Sequence, residues 1–325
     1  MKCCHFLMII FSLMRNNFWR PTRVLHHIIQ HKIFMKKFAS LFIVIIIITA
    51  KSFAATADTI AIPSKVMNKT YKAVIVLPSA YTKSTKQFPV LYLLHGGYGH
   101  FNDWIKKTPD TTLIQHLSDQ YNFIIVMPEG EVFSYYLNSE ADPQSQFETY
   151  IVKEVIEKVD ASYRTIKDKK GRAITGLSMG GYGALYLSAR HPDLFCAAGS
   201  MSGALNPDIQ LWKLPADRSK GIKTAFEKIL GPIETYPQRY SDASVINMAD
   251  KMKTNGLAII FDDGTEDFLI DANRELHRRL VFNGTPHDYS ERPGSHTWDY
   301  WQNSLPYHAL FFSKIFKSNG SYINN

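Results

Sequence analysis

The sequence predicts an α/β fold, with a mostly parallel central sheet, helices on both faces and an antiparallel N-terminal edge. Two observations carry this. From about residue 90 onward, short apolar runs alternate with longer stretches of helical period, the pattern of strand–crossover–strand units. Before that, the strand-like stretches within about residues 58–80 have no helix between them, so they are expected to pair antiparallel at an edge.

The expected strands are Tyr71–Leu77 (YKAVIVL), Val90–Leu94 (VLYLL), Phe123–Met127 (FIIVM), Ala173–Thr175, Leu194–Ala198, Leu257–Phe261 (LAIIF) and Asp288–Glu291. Between the later ones lie helical patterns. FETYIVKEVIEKVDASY carries Tyr150, Ile151, Val155, Ile156 and Val159 at spacings of three and four, and YGALYLSARH follows a glycine-rich turn. FLIDANRELHRRLVFNG ends on Gly284, a residue suited to a helix C-terminus. Residues 205–254, rich in Pro, Lys and Asp, read as an irregular insertion between two sheet strands. Residues 58–318 are expected to form one catalytic domain, and residues 319–325 a polar tail.

Net charge offers a false lead. The chain carries 37 Lys and Arg against 29 Asp and Glu, but the eight basic residues in excess all fall within residues 1–57, where no acidic residue occurs. The remainder is balanced, which argues against a nucleic-acid partner. From Met35 the leader reads MKKFASLFIVIIIITAKSFAATAD: two lysines, an apolar run from Leu41 to Ile48, then small residues. Ser52-Phe53-Ala54 and Ala55-Thr56-Ala57 both offer a signal-peptidase pattern, so residues 1–57 are expected to be an over-extended start plus a signal peptide, and the mature chain secreted or periplasmic. The apolar stretch Phe38–Ala50 is shorter than the roughly 20 residues that span a bilayer, so no membrane association is expected after cleavage. Cys196 is the one cysteine of the expected mature chain. It lies in an apolar run, and a buried, inert thiol is expected there.

GLSMGG (176–181) poses the chemical question. Gly-x-Ser-x-Gly alone matches a chain of this length by chance about one time in ten, so its surroundings must decide. Ser178 follows the strand-like RAIT and precedes a helical pattern, where flanking glycines permit a tight strand–turn–helix. A serine hydroxyl is a poor nucleophile unless a histidine takes its proton and an acid orients that histidine. On such a sheet these groups stand on loops at the carboxyl ends of strands, in the order serine, acid, histidine.

LAIIF runs into DDGTEDF, where Asp262, Asp263, Glu266 and Asp267 are all candidate acids on chemistry alone. Among the histidines, His296 in ERPGSHTWDYW follows a strand and a Pro-Gly turn, where a loop-borne base should stand. His116, His191, His277 and His308 fall in helical or helix-end contexts and read as ordinary packing or surface residues. A tetrahedral oxyanion needs two backbone N–H donors. Met179, after the serine, offers one, and Gly97 in the HGGYGH loop after VLYLL offers the other, with His95 read as structural. There is no HExxH or CxxC motif, no phosphate loop and no dinucleotide fingerprint, so no cofactor and no metal are expected.

LYLLHGGYGHFNDW, MPEGEVFSYYLN, GLSMGGYGALYLSARHPDLFCAAGSMSG, FDDGTEDFL and GSHTWDYW together resemble the esterase D-like family. That family includes S-formylglutathione hydrolases, tributyrin and acetyl esterases, feruloyl esterase domains and mycolyltransferases. The resemblance covers roughly residues 60–315. It implies an α/β-hydrolase fold with Ser178 as nucleophile, His296 as base and Asp267 as acid. It supports Gly97 and Met179 as oxyanion donors and suggests that Tyr136 lines the substrate cleft. The implied activity is a serine carboxylesterase acting on small-molecule or carbohydrate esters of acetyl or feruloyl type. An acyltransferase with the same triad, a thioesterase of the S-formylglutathione hydrolase type and a non-catalytic binding protein are the alternatives.

Overall fold

The computed structural model describes residues 57–322, so residues 1–56 of the expected leader and residues 323–325 of the polar tail lie outside the described residues. Eight strands form one sheet: β1 (Ala57–Ser64), β2 (Lys69–Val76), β3 (Val90–Leu94), β4 (Ile124–Pro128), β5 (Arg172–Gly176), β6 (Ala197–Met201), β7 (Ala258–Gly264) and β8 (Asp288–Arg292). Their spatial order is β1-β2-β4-β3-β5-β6-β7-β8. β1 pairs antiparallel with β2, and β2 antiparallel with β4; every other pairing is parallel. The expected antiparallel edge is therefore present.

Residues of the central strands β3–β7 are buried on both faces and sort by their alternation into two cores, whereas the edge strands β1 and β8 are partly exposed. Ile75, Tyr92, Val126 and Ile174 face one layer, which includes α2 (Ile156–Ser162), α3 (Met179–Arg190) and α7 (Ile270–Asn283). Val76, Leu91, Ile125 and Ala173 face the other, made by α1 (Leu113–Tyr121) and α8 (Trp298–Ser318). No helix among the described residues is long and apolar enough to cross a membrane.

Two expectations are corrected. The strand expected at Leu194–Ala198 lies at Ala197–Met201. Its centre must be small, because a Cβ on Gly199 would meet Thr175 Oγ1 at 2.7 Å and the His308 ring. The apolar signal is therefore strongest just before the strand, where Phe195 packs edge-on against Tyr92. The stretch 205–254 is also more ordered than its composition suggests. It carries α4 (Ala216–Leu230), α5 (Pro237–Ala243) and α6 (Ala249–Asn255). The charged residues of α4 are good helix formers, and Phe226, Ile229 and Leu230 anchor its inner side.

On α7, His277 Nδ1 lies 2.8 Å from His287 Nε2, and His287 Nδ1 lies 2.7 Å from the Thr285 carbonyl. Since that carbonyl can only accept, His287 donates from Nδ1 and accepts at Nε2. Burial, and then His287, hold His277 below the ordinary histidine range, with Glu291 opposing. The fold thus favours neutral His277, and this contribution to stability is present above the ordinary pKa of about 6.5 and lost as pH falls below it. Thermal unfolding should show stability declining from about pH 7.5 to about pH 5.5. The decline should be shallower in His277→Gln; equal slopes in the two proteins would contradict this.

Candidate active site

Ser178 sits between β5 and α3 with φ 54° and ψ −115°, a conformation that costs a non-glycine residue about 1–3 kcal/mol. The turn is held by Ser178 N–H donating to the Met201 carbonyl at 2.8 Å, and by Tyr182 N–H donating back to the Ser178 carbonyl at 2.9 Å. Gly180 is required here by close approach, since a Cβ would lie 2.6 Å from the carbonyl oxygens of Leu94 and His95. The strain turns the serine side chain out of the strand, where it is only half-buried.

The loop after β7 and the loop after β8 are tied to each other by backbone bonds. Thr265 N–H donates to the Arg292 carbonyl at 2.9 Å, and Glu266 N–H to that of Gly294 at 3.0 Å. This brings Asp267 and His296 together. His296 Nδ1 lies 2.8 Å from Asp267 Oδ2, and His296 Nε2 lies 2.9 Å from Ser178 Oγ. A carboxylate can only accept, so Nδ1 carries the hydrogen and Nε2 is left to accept from the serine hydroxyl. The imidazole packs against Phe268 (4.6 Å between ring centres) and stands perpendicular to Trp301 at 4.9 Å.

Asp267 is buried, and Leu269 N–H donates to its Oδ1 at 3.0 Å. Burial opposes its charge. The hydrogen bond and charge of His296, with the Leu269 amide, outweigh that and hold it below the usual carboxylate range. Asp263 behaves oppositely. Burial, and then repulsion from Asp267, push it well above that range. Asp262, its neighbour on β7, points to the other face of the sheet and joins Tyr300, Ser304 and His308 there.

The HGG loop after β3 comes up beside the serine turn. A Cβ on Gly97 would lie 4.0 Å from Met179 Cβ, so the two backbones are near neighbours. Met179 opens α3, where an N–H has no intrahelical acceptor. Among the described residues, neither the Gly97 nor the Met179 amide has a hydrogen-bond acceptor. His95 is fully buried and locks this loop: Gly130 N–H donates to its Nε2 at 2.8 Å, and its Nδ1 lies 2.8 Å from the Gly96 carbonyl.

Tyr136 stands elsewhere than the expected cleft wall. It is 0% exposed, its ring fills the space under Gly130 and Gly183, and its hydroxyl donates to the His95 carbonyl at 3.0 Å. Phe268, Phe133 and Tyr98 keep part of their rings accessible, whereas Trp212 and Phe226, which link them, are buried. From His296 an aromatic arc runs through Phe268, Trp212, Phe226 and Phe133 to Tyr98, with ring centres 4.6–6.1 Å apart. Exposed Tyr98 and Val132 then open a half-polar cleft of about 540 Å³ that includes Glu131, Gln144 and Lys228. A second cavity, of about 360 Å³, lies at the opposite end of β7 against His287 and Phe311, away from Ser178. Cys196 is buried, its thiol donates to the Arg172 carbonyl at 3.3 Å, and burial pushes its pKa up to about 12, which makes it inert at neutral pH.

With the serine turn after β5, the acidic loop after β7 and the imidazole after β8, the architecture is that of an α/β-hydrolase fold. Residues 64–312 match the family model described as "Putative esterase", and the chain belongs to that esterase family. It is 30% identical over 243 residues to Esterase Rv1288 of Mycobacterium tuberculosis, which covers 69% of this chain and 52% of that protein. The chain thus spans about half the length of that relative. It is 27% identical over 264 residues to an acetyl esterase of Caldicellulosiruptor saccharolyticus, covering 78% of this chain and 96% of the relative. Among solved structures, a ferulic acid esterase superposes with a TM-score of 0.69 at 28% identity, over 82% of this chain and 100% of that one.

Proposed function

We propose that the chain is a secreted or periplasmic serine carboxylesterase that hydrolyses short-chain or carbohydrate-linked esters, of acetyl or feruloyl type, through an acyl-enzyme on Ser178. The continuous contact from Ser178 through His296 to Asp267 carries this reading. His296 Nε2 takes the hydroxyl proton as Ser178 Oγ adds to the ester carbonyl. The Gly97 and Met179 amides donate to the resulting oxyanion. When the tetrahedral species collapses, His296 returns the proton to the leaving alcohol and Ser178 keeps the acyl group. Water, deprotonated by the same imidazole, then attacks the acyl-enzyme and releases the acid.

Two features favour acetyl and feruloyl esters. Family relatives carry the names acetyl esterase and ferulic acid esterase. Half-buried Phe268 beside His296 and exposed Tyr98 beside the HGG loop offer apolar ring surface for an aromatic acyl group or a sugar ring. Initial rates on p-nitrophenyl acetate, methyl ferulate and acetylated xylan test the reading. Turnover of at least one of them, lost in Ser178→Ala, is expected; no turnover of any, by a folded protein, would overturn it.

A further inference from the structure

We propose that Glu129, buried just after β4, is a positioning residue for the oxyanion site: its carboxylate ties the loop that carries Gly97 to the turn on which that loop rests. The inference rests on the reading of Gly97 and Met179 as oxyanion donors and deepens it.

The two donors differ in how they are held. Met179 is fixed by β5 before it and by α3, which it opens. Gly97 lies in an irregular loop, residues 95–101, so its place depends on what that loop rests on. The support is the turn after β4. Tyr98 N–H donates to the Val132 carbonyl at 2.8 Å, and a Cβ on Gly97 would lie 3.8 Å from the same oxygen. Both segments are strained. Tyr98 and Glu131 have φ of 60° and 51°, a left-handed backbone that a side chain disfavours and that persists only where the surroundings enforce it.

One buried carboxylate meets both segments. Glu129 Oε1 accepts from Glu131 N–H at 2.9 Å and from Gly130 N–H at 3.2 Å, which pins the turn at its strained residue. Glu129 Oε2 accepts from Phe101 N–H at 3.3 Å, at the far end of the Gly97 loop. His95 Nε2 and His100 Nδ1, from the same loop, lie 3.3 Å and 3.5 Å from the carboxylate. A carboxylate accepts on both oxygens at once, which a neutral amide cannot do. Without Glu129 the Val132 carbonyl and the Gly97 amide lose the tie that sets their common position. Misplacing a catalytic group by about 1 Å costs up to about 10²-fold in rate. That cost falls on the transition state, where the oxyanion has formed, more than on the bound ester.

The test compares an ester with its thionoester, since sulfur accepts hydrogen bonds more weakly than oxygen and profits less from two donors. In Glu129→Ala, kcat on p-nitrophenyl acetate should fall about 10- to 100-fold, with KM within about threefold of the parent. On p-nitrophenyl thionoacetate the fall should be severalfold smaller, so the preference for the ester narrows. The one oxygen of Glu129→Gln can serve the turn or the loop but not both. That variant should lose about three- to tenfold in kcat, and it carries the same test if Glu129→Ala does not fold. A folded variant with kcat within about twofold of the parent, or with equal losses on the two substrates, would overturn the proposal. Equal losses would leave the Ser178 reading intact, whereas esterase activity surviving in Ser178→Ala would overturn that reading.

Discussion

Ser178→Ala, His296→Ala and the double variant are expected to lose nearly the same activity, about 10⁴- to 10⁶-fold in kcat, rather than the product of two losses. The reason is the single proton path. Ser178 Oγ reaches one base, His296 Nε2 at 2.9 Å, and without either partner the hydroxyl proton has no acceptor within that contact. What remains is the work of the two amides and of substrate binding. Asp267→Asn should lose about 10⁴-fold, because an amide can donate to Nδ1 and turn the imidazole into the wrong tautomer. Steady-state kinetics on one p-nitrophenyl ester, beside thermal unfolding of each variant, checks this. Ser178→Ala should unfold close to the parent, since alanine keeps the same backbone conformation with its strain and gives up only the hydroxyl contact to His296. Additive losses in the double variant would show that the two residues do not act as a unit.

The second large effect is on stability and lies on the other face of the sheet. Asp262 accepts from Tyr300 Oη (2.9 Å), Ser304 Oγ (2.5 Å) and His308 Nε2 (2.7 Å), and forms an ion pair with the Arg292 guanidinium at 3.0 Å. His308 Nδ1 in turn lies 2.9 Å from Thr175 Oγ1. Burial opposes charge on Asp262, yet His308, Arg292 and Ser304 outweigh it and hold its pKa below the usual carboxylate range. This cluster repeats the carboxylate–imidazole–hydroxyl chemistry of the Ser178 site, but His308 is 0% exposed, so no substrate reaches it. Its work is to join β5, β7 and α8. His308→Leu leaves the Thr175 hydroxyl and part of the Asp262 carboxylate without partners, and should cost about 3 kcal/mol of stability. Urea unfolding measures this directly. The folded fraction should keep the parent's kcat, because the cluster lies across the sheet from Ser178. A loss below about 1 kcal/mol would show that Arg292, Tyr300 and Ser304 satisfy Asp262 without the imidazole.

What the sequence made legible follows from what local pattern encodes. Apolar alternation located β3, β4 and β5 to within a residue or two, since a strand buried on both faces leaves a continuous signal. β6 was displaced by three residues because its centre is Gly199-Ser200, small to admit His308, and only a tertiary contact explains that choice. Composition left open which acid of DDGTED faces His296. The structure resolves the loop by strand geometry: Asp262 and Asp263 alternate across β7, and Asp267 lies on the turn beyond it. Tyr136, which the resemblance alone assigns to the cleft, has no local signal in the sequence that would reveal its packing role; its ring fills the space that Gly130 and Gly183 leave. His308 was hidden by its helical context, since nothing in its neighbours announces a partner 46 residues upstream.

Labelling with a fluorophosphonate at neutral pH, read by peptide mass spectrometry, tests the Ser178 nucleophile most directly. The expected result is one phosphonyl adduct, on the peptide carrying GLSMGG, absent from Ser178→Ala and formed far more slowly in His296→Ala. An adduct on a different residue, or an unlabelled Ser178 in a protein that hydrolyses p-nitrophenyl acetate, would contradict it.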